Sequence, residues 1–230
     1  VNDARYEIGV ECSNPSVGCG VALARRAATA LEHIETRALP RGASGTDALV
    51  GTIAEMTRDH GVAPRRVARI AVSTGPGGYT ALRTSVASSS AMARALACEL
   101  VGVPTPMVAA RALAERHLPA MVILASKGGG AHASIVARDR SVRDLGLVGA
   151  DAVDARGVRT LACDAHAPGG FVEGAARAGI AVEPLALDAW SCLVAAGGLG
   201  PVDPADLRVL YAREPDAVTQ WRGRRDGRGG

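Results

Sequence analysis

Aromatic residues are nearly missing from this chain, with one phenylalanine, two tryptophans and three tyrosines in 230 residues. It is long enough for one large domain or two small lobes, and its core must come mainly from Ala, Val, Leu and Ile. Lysine is scarcer still, Lys127 standing alone among 26 Lys and Arg. That ratio fits a base-composition bias, so arginine richness carries no functional meaning. The formal charge is only +3, and residues 222–230, with four arginines and one aspartate, account for all of it. This Gly/Arg stretch reads as a disordered, solubilising tail whose contact with RNA would be purely electrostatic. Cysteines stand at 12, 19, 98, 163 and 192. Their odd number, with no C-x-x-C and no secretory segment, implies reduced thiols and a cytoplasmic setting. No apolar run approaches a membrane span. The histidines at 33, 60, 117, 132 and 166 form no H-x-x-x-H or H-E-x-x-H and no Cys pairing at metal spacing, so the usual metal signatures are absent.

What is present centres on Thr74-Gly75-Pro76-Gly77-Gly78-Tyr79-Thr80-Ala81-Leu82-Arg83-Thr84. Ile70-Ala71-Val72-Ser73 before it reads as a buried strand, and a long Ala/Ser-rich helical stretch follows it. Strand, glycine turn and helix N-terminus is an arrangement in which backbone N–H groups meet an anion or a partner. The glycines permit backbone angles closed to other residues, and Pro76 fixes one φ. The plainer reading is a tight turn with Thr80 as N-cap. No Gly-Lys-Ser/Thr follows, so this is not a Walker A loop. Thr80 stands where a dinucleotide fingerprint needs its third glycine.

The rest alternates between strand and helix. Residues 6–12 and 18–24 form a hairpin about a Ser13-Asn14-Pro15-Ser16 turn, and 28–35 is a third strand. Leu49, Ile53 and Met56 mark a helix over 44–60, ended by Gly61. A second helix spans 81–100, with a stripe of serines and alanines that suits close helix packing within the fold or against a partner. Gly102-Val103-Pro104-Thr105-Pro106 is the best linker. Beyond it come a helix (109–117), strands (121–125 and 131–137) about a glycine turn, a helix ending at Ala196, and a strand-like Leu207-Arg208-Val209-Leu210-Tyr211. Two halves of related order suggest a duplicated α/β unit.

Few residues suggest chemistry. Cys163-Asp164-Ala165-His166 reads as a polar loop rather than a nucleophile with its base. Ser126-Lys127 reads as part of a Gly-rich turn rather than a dyad. Glu11 ends the first strand, but no second carboxylate can be paired with it from sequence.

The order of elements and three motifs resemble the TsaB (YeaZ) family. These are Val10-Glu11-Cys12-Ser13 with the strand 17–23, Gly75-Pro76-Gly77-Gly78-Tyr79-Thr80-Ala81-Leu82-Arg83, and Val209-Leu210-Tyr211-Ala212-Arg213-Glu214-Pro215. The family forms are Ile-Asp-Thr-Ser, Gly-Pro-Gly-Ser-Phe/Tyr-Thr-Gly-Leu/Val-Arg and Pro-x-Tyr-Leu-Arg. The likeness is strong over 66–100 and faint over 140–200. Departures include Glu11 for Asp, Gly78 for Ser and Ala81 for Gly. Ala43-Ser44 stands where the family has His, and Leu124-Ala125-Ser126-Lys127 where it has Ile-Asp-Ala-Arg.

The resemblance implies an α/β, actin-like/Hsp70/sugar-kinase (ribonuclease H-like) fold. Its two lobes, 1–104 and 105–220, would each hold a mixed sheet flanked by helices, with 221–230 as the tail. It implies a non-catalytic dimerisation subunit that holds the catalytic TsaD while threonylcarbamoyl is transferred to adenosine 37 of tRNA. A TsaE-like ATPase is a further partner, a homodimer forms in isolation, and tRNA is met only through the complex. The iron-binding H-x-x-x-H and adenosine pocket of TsaD have no counterpart here. Partner contact is expected at Tyr79, Thr80, Leu82, Arg83, Val86, Ser89, Ser90 and Ala93. No catalytic residue, metal or resident cofactor is expected, and Glu11, Gly77 and Gly78 mark the region where ATP or ADP phosphate would lie. A small ATP-dependent kinase or ATPase on this fold is the alternative, with a peptidase ranked last.

Overall fold

The computed structural model describes residues 4–28, 30–40, 45–125, 130–149 and 157–212. The first sheet contains β1 (Arg5–Glu11), β2 (Gly20–Arg26), β3 (Leu31–Ala38), β4 (Val67–Gly75) and β5 (Glu99–Pro104), in the order β3-β2-β1-β4-β5. The β1–β2 and β2–β3 pairs are antiparallel, and the β1–β4 and β4–β5 pairs are parallel. The second sheet contains β6 (Ala120–Ala125), β7 (Ala131–Val136), β8 (Val142–Val148), β9 (Thr160–Cys163) and β10 (Ala181–Pro184), in the order β10-β9-β6-β7-β8. Its pairings repeat the same pattern: β6–β7 and β7–β8 are antiparallel, and β6–β9 and β9–β10 are parallel. The duplicated unit suggested by element order is thus present in the strand topology.

The helices fill the layers between and outside the sheets. α1 (Gly45–Asp59) and α2 (Tyr79–Leu96) cover the outer face of the first sheet, where Ile8, Val10, Leu49, Met56, Ile70 and Val86 make one core. α4 (Gly169–Arg177) covers the outer face of the second sheet through Phe171 and Ala175. α3 (Thr105–Ala112) and α5 (Ala189–Ala196) lie between the sheets, in a core of Ala71, Val101, Val108, Val122, Ala162 and Leu193. The lobes therefore share one apolar layer. It is built from small aliphatic side chains, as the lack of aromatics requires.

Several boundaries differ from the sequence expectation: the third strand is Leu31–Ala38 rather than 28–35, and the helix expected over 109–117 is α3, Thr105–Ala112, with a single 3-10 turn at Glu115–His117. The apolar period carries a helix to Leu100, but α2 ends at Leu96, where Ala97 adopts the left-handed conformation (φ 51°). Leu100 lies in β5, because a buried strand and a buried helix share the same short apolar run. Gly102-Val103-Pro104-Thr105-Pro106 is no linker. It is the end of β5 and the first turn of α3, with Val103 and Thr105 fully buried. The piece 207–211 is not a strand, although Leu210 N–H donates to the Thr74 carbonyl at 2.7 Å and Leu207 and Val209 pack on the first core.

α5 can lie against β1 only because residue 9 is glycine. A Cβ there would sit 2.3 Å from the Ala189 carbonyl oxygen and 2.8 Å from Leu193 Cγ. Gly51 in α1 has open space around it. Gly9→Ala should cost about 1–3 kcal/mol of stability through overpacking. Gly51→Ala should add about 0.5–1 kcal/mol through helix propensity. Denaturant unfolding of the two variants beside the parent checks both signs.

Candidate functional site: the glycine loop and the start of α2

β4 runs directly into the loop Gly75–Gly78, and the three glycines serve different ends. Gly75 alone has a positive φ, 106°. At Gly77 the constraint is space, since a Cβ would meet the Ser13 carbonyl oxygen at 2.0 Å. Gly78 is the N-cap of α2 and has an ordinary extended conformation. Its N–H donates to the same Ser13 oxygen at 2.7 Å. Thr80 is therefore not the N-cap; it lies one residue inside the helix, and no side chain caps α2. A phosphate-binding loop needs free N–H groups, whereas the Gly78 donor is already given to the β1–β2 turn. No step through a nucleotide follows from these residues.

Glu11 reaches the same place from the opposite side. It ends β1 and is 1% exposed. One carboxylate oxygen accepts from Ser13 N–H at 2.7 Å and Ser13 Oγ at 2.5 Å. The other, Oε2, is buried without a partner among the described residues. Burial, opposed by Ser13 and the Ser73 hydroxyl and helped by the charge of Asp188, pushes this carboxyl up to about 7. Asp188 is the neighbouring carboxylate that sequence spacing cannot reveal, because it comes from the opposite end of the chain. Both of its oxygens are held by Ser191 as the cap of α5, N–H and Oγ each at 2.7 Å. Across the lobes, Asn14 Nδ2 donates to Asp164 Oδ2 at 2.5 Å. Asp164 also accepts from His166 N–H at 2.8 Å. Cys163 beside it is buried, with its thiol raised above the ordinary range by that burial. The segment 163–166 is thus a joint between lobes.

The expected partner residues divide by direction. Leu82, Val86, Ser89 and Ala93 are buried, Val86 and Ala93 within the first core. Ser85, Ser88 and Ser89 of the small-residue stripe are accordingly used within the fold, whereas Ala87, Ala91 and Ala95 are exposed. Tyr79, Thr80 and Arg83 face solvent and Ser90 is half-buried. Tyr79 stacks on Tyr211 with ring centroids 5.3 Å apart. Arg83 lies 5.2 Å over the Tyr79 ring and donates to its hydroxyl at 2.5 Å. Tyr79 is 46% exposed and Tyr211 37%. Two motif segments far apart in sequence therefore meet at one surface point, which no periodicity could show. Ala43-Ser44, Ser126-Lys127, Arg213-Glu214-Pro215 and the tail 221–230 lie outside the described residues. Among the described residues no three His, Cys, Asp or Glu side chains cluster to hold a metal, and no helix is long and apolar enough to cross a membrane.

Duplicated mixed sheets around a shared helical layer define the two-lobed, actin-like class of proteins. An uncharacterised protein "with similarity to peptidase YEAZ" from Pseudomonas aeruginosa superposes with a TM-score of 0.70 at 19% identity, over 91% of this chain and 100% of its own. YeaZ from Pseudomonas aeruginosa superposes with a TM-score of 0.68 at 18% identity, over 90% of this chain and 99% of its own. No curated protein sequence matches. The chain belongs to the family described as TsaD, tRNA N6-adenosine threonylcarbamoyltransferase, whose sequence model matches residues 40–183. Its fold, over nearly the whole chain, is that of the two YeaZ-type structures.

The folded state holds the Glu11 proton more tightly than the unfolded chain, whose carboxyl titrates near 4.5. Stability from this group is therefore full below pH 4.5 and is lost as pH rises toward 7. Glu11→Gln should match the parent near pH 4 and exceed it by about 3 kcal/mol above pH 7. Unfolding curves of both proteins across that range test the crossing.

Proposed function

We propose that this chain is a non-catalytic subunit that supports threonylcarbamoyl transfer to adenosine 37 of tRNA by docking a TsaD-like catalytic subunit. The observation carrying this reading is the exposed Tyr79–Arg83–Tyr211 cluster at the start of α2. Tyrosine and arginine are the side chains most enriched at binding hot spots, because they combine large contact area with a polar end. Their setting is rigid: α2 is fixed below by β4 and α1, and its start is pinned by Ser13.

The chemistry near Glu11 supports a role in assembly. Its carboxyl is buried, with one oxygen given to Ser13, and the neighbouring Asp188 is spent on a helix cap. The enclosure of Glu11 and the cap made by Asp188 support a subunit without chemistry of its own. In this reading the catalytic groups belong to the partner, and tRNA is met through the complex. A second copy of the chain would occupy the same helical face when the partner is absent, and a TsaE-like ATPase would join the assembled pair.

Reconstitution with the TsaD-like subunit and tRNA of the same organism tests the proposal. Modification should require this chain, and Tyr79→Ala or Arg83→Ala should weaken the binary complex by about tenfold or more, equivalent to ~1.4 kcal/mol. Full modification without the chain would overturn it.

A further inference from the structure

Two of the five cysteines face each other across the first hairpin. The β1–β2 register pairs Arg5 with Arg26 and continues without a break to Glu11 with Gly20. One step further places Cys12 opposite Cys19. Directly opposed residues of an antiparallel pair point to the same face with Cα atoms about 4.5–5.5 Å apart. Disulfides need about 4.4–6.8 Å. Both side chains pack on the core beneath α1 and α2. Cys12 is buried and Cys19 half-buried. Both line a cavity of about 840 Å³ that also touches Pro15, Leu49, Thr80 and Thr84.

We propose that Cys12 and Cys19 are a reversible redox pair, oxidised to a cross-strand disulfide by a small hydroperoxide entering this cavity. The proposal is independent of the partner reading above. Cys19 is the attacking sulfur: it is the more accessible, and the neighbouring Cys12 thiol holds it below the ordinary thiol range. Its thiolate attacks the peroxide, forming an S–O bond as the O–O bond breaks, and the departing hydroxide is protonated to water. Cys12 sulfur then attacks Cys19 sulfur, forming the S–S bond as the S–O bond breaks. The hydroxyl leaves as a second water with the Cys12 proton. Two thiols and one hydrogen peroxide thus give one disulfide and two waters. The new bond would tie β1 to β2 directly beneath the turn whose Ser13 carbonyl holds the glycine loop.

The test treats the folded full chain with hydrogen peroxide, then alkylates free thiols and maps the peptides by mass spectrometry. The expected product joins Cys12 to Cys19, weighs two hydrogens less than the parent, leaves Cys98, Cys163 and Cys192 alkylated, and reverts with dithiothreitol. In Cys12→Ser the reaction should stop at a Cys19 sulfenic acid that dimedone traps. In Cys19→Ser, oxidation at Cys12 should slow at least tenfold. Oxidation of Cys98 ahead of the pair would overturn the proposal. So would a parent protein whose Cys19 passes to sulfinic acid with no linked peptide, a result that needs no variant to fold.

Discussion

The Ser13 carbonyl is the contact on which the site depends. It accepts from Gly78 N–H and fills the space a side chain at Gly77 would need, so the β1–β2 turn and the β4–α2 loop behave as one body. That fixes where α2 starts, and with it the direction of Tyr79 and Arg83. The Ser13 N–H and Oγ meanwhile hold Glu11. One residue thus orders the glycine loop through its carbonyl oxygen and the acidic strand end through its two donors. A short chain with few large side chains gains rigidity here from backbone hydrogen bonding rather than bulk.

The second constraint is the layer between the sheets. α3 and α5 follow the fifth strand of each half and meet at the centre, so each half completes the other's core. Alanine is what the geometry demands: a layer of helices between two sheets must bring backbones close, as Gly9 beneath Ala189 does. The Asn14–Asp164 hydrogen bond adds a polar tie at the level of the glycine loop. The surface at α2 is therefore carried by a frame in which both lobes take part.

Much of this was legible in the sequence where a local rule operates. The hairpin about 13–16, the helix below Gly61, the strand at 70–73 and its glycine turn all follow from alternation, period and turn chemistry. Duplication showed in element order, because it is a property of succession. Failures arose where tertiary contact overrides the local signal. Leu100 suits a helix face and a buried strand equally well, and only the left-handed Ala97 decides between them. Gly77 looks like a residue chosen for its φ, but it is required by an oxygen from a distant turn. Asp188 beside Glu11, and Tyr211 on Tyr79, are long-range pairings that no spacing encodes.

Scarcity gives the surface cluster its weight. In a chain with so few aromatics, every ring left in solvent is apolar area that a sparse core forgoes, worth about 1.5–3 kcal/mol when fully buried. Phe171 follows that expectation and is completely enclosed. Tyr79 and Tyr211 do not, and Leu210 beside them is also exposed. They cover each other and are covered in part by Arg83, which lowers their exposure without joining them to any core. A single exposed apolar residue needs no explanation. Two stacked rings, an arginine and a leucine gathered at a pinned helix start form a patch for which the interior offers no account, and this is why the proposed function places its partner there.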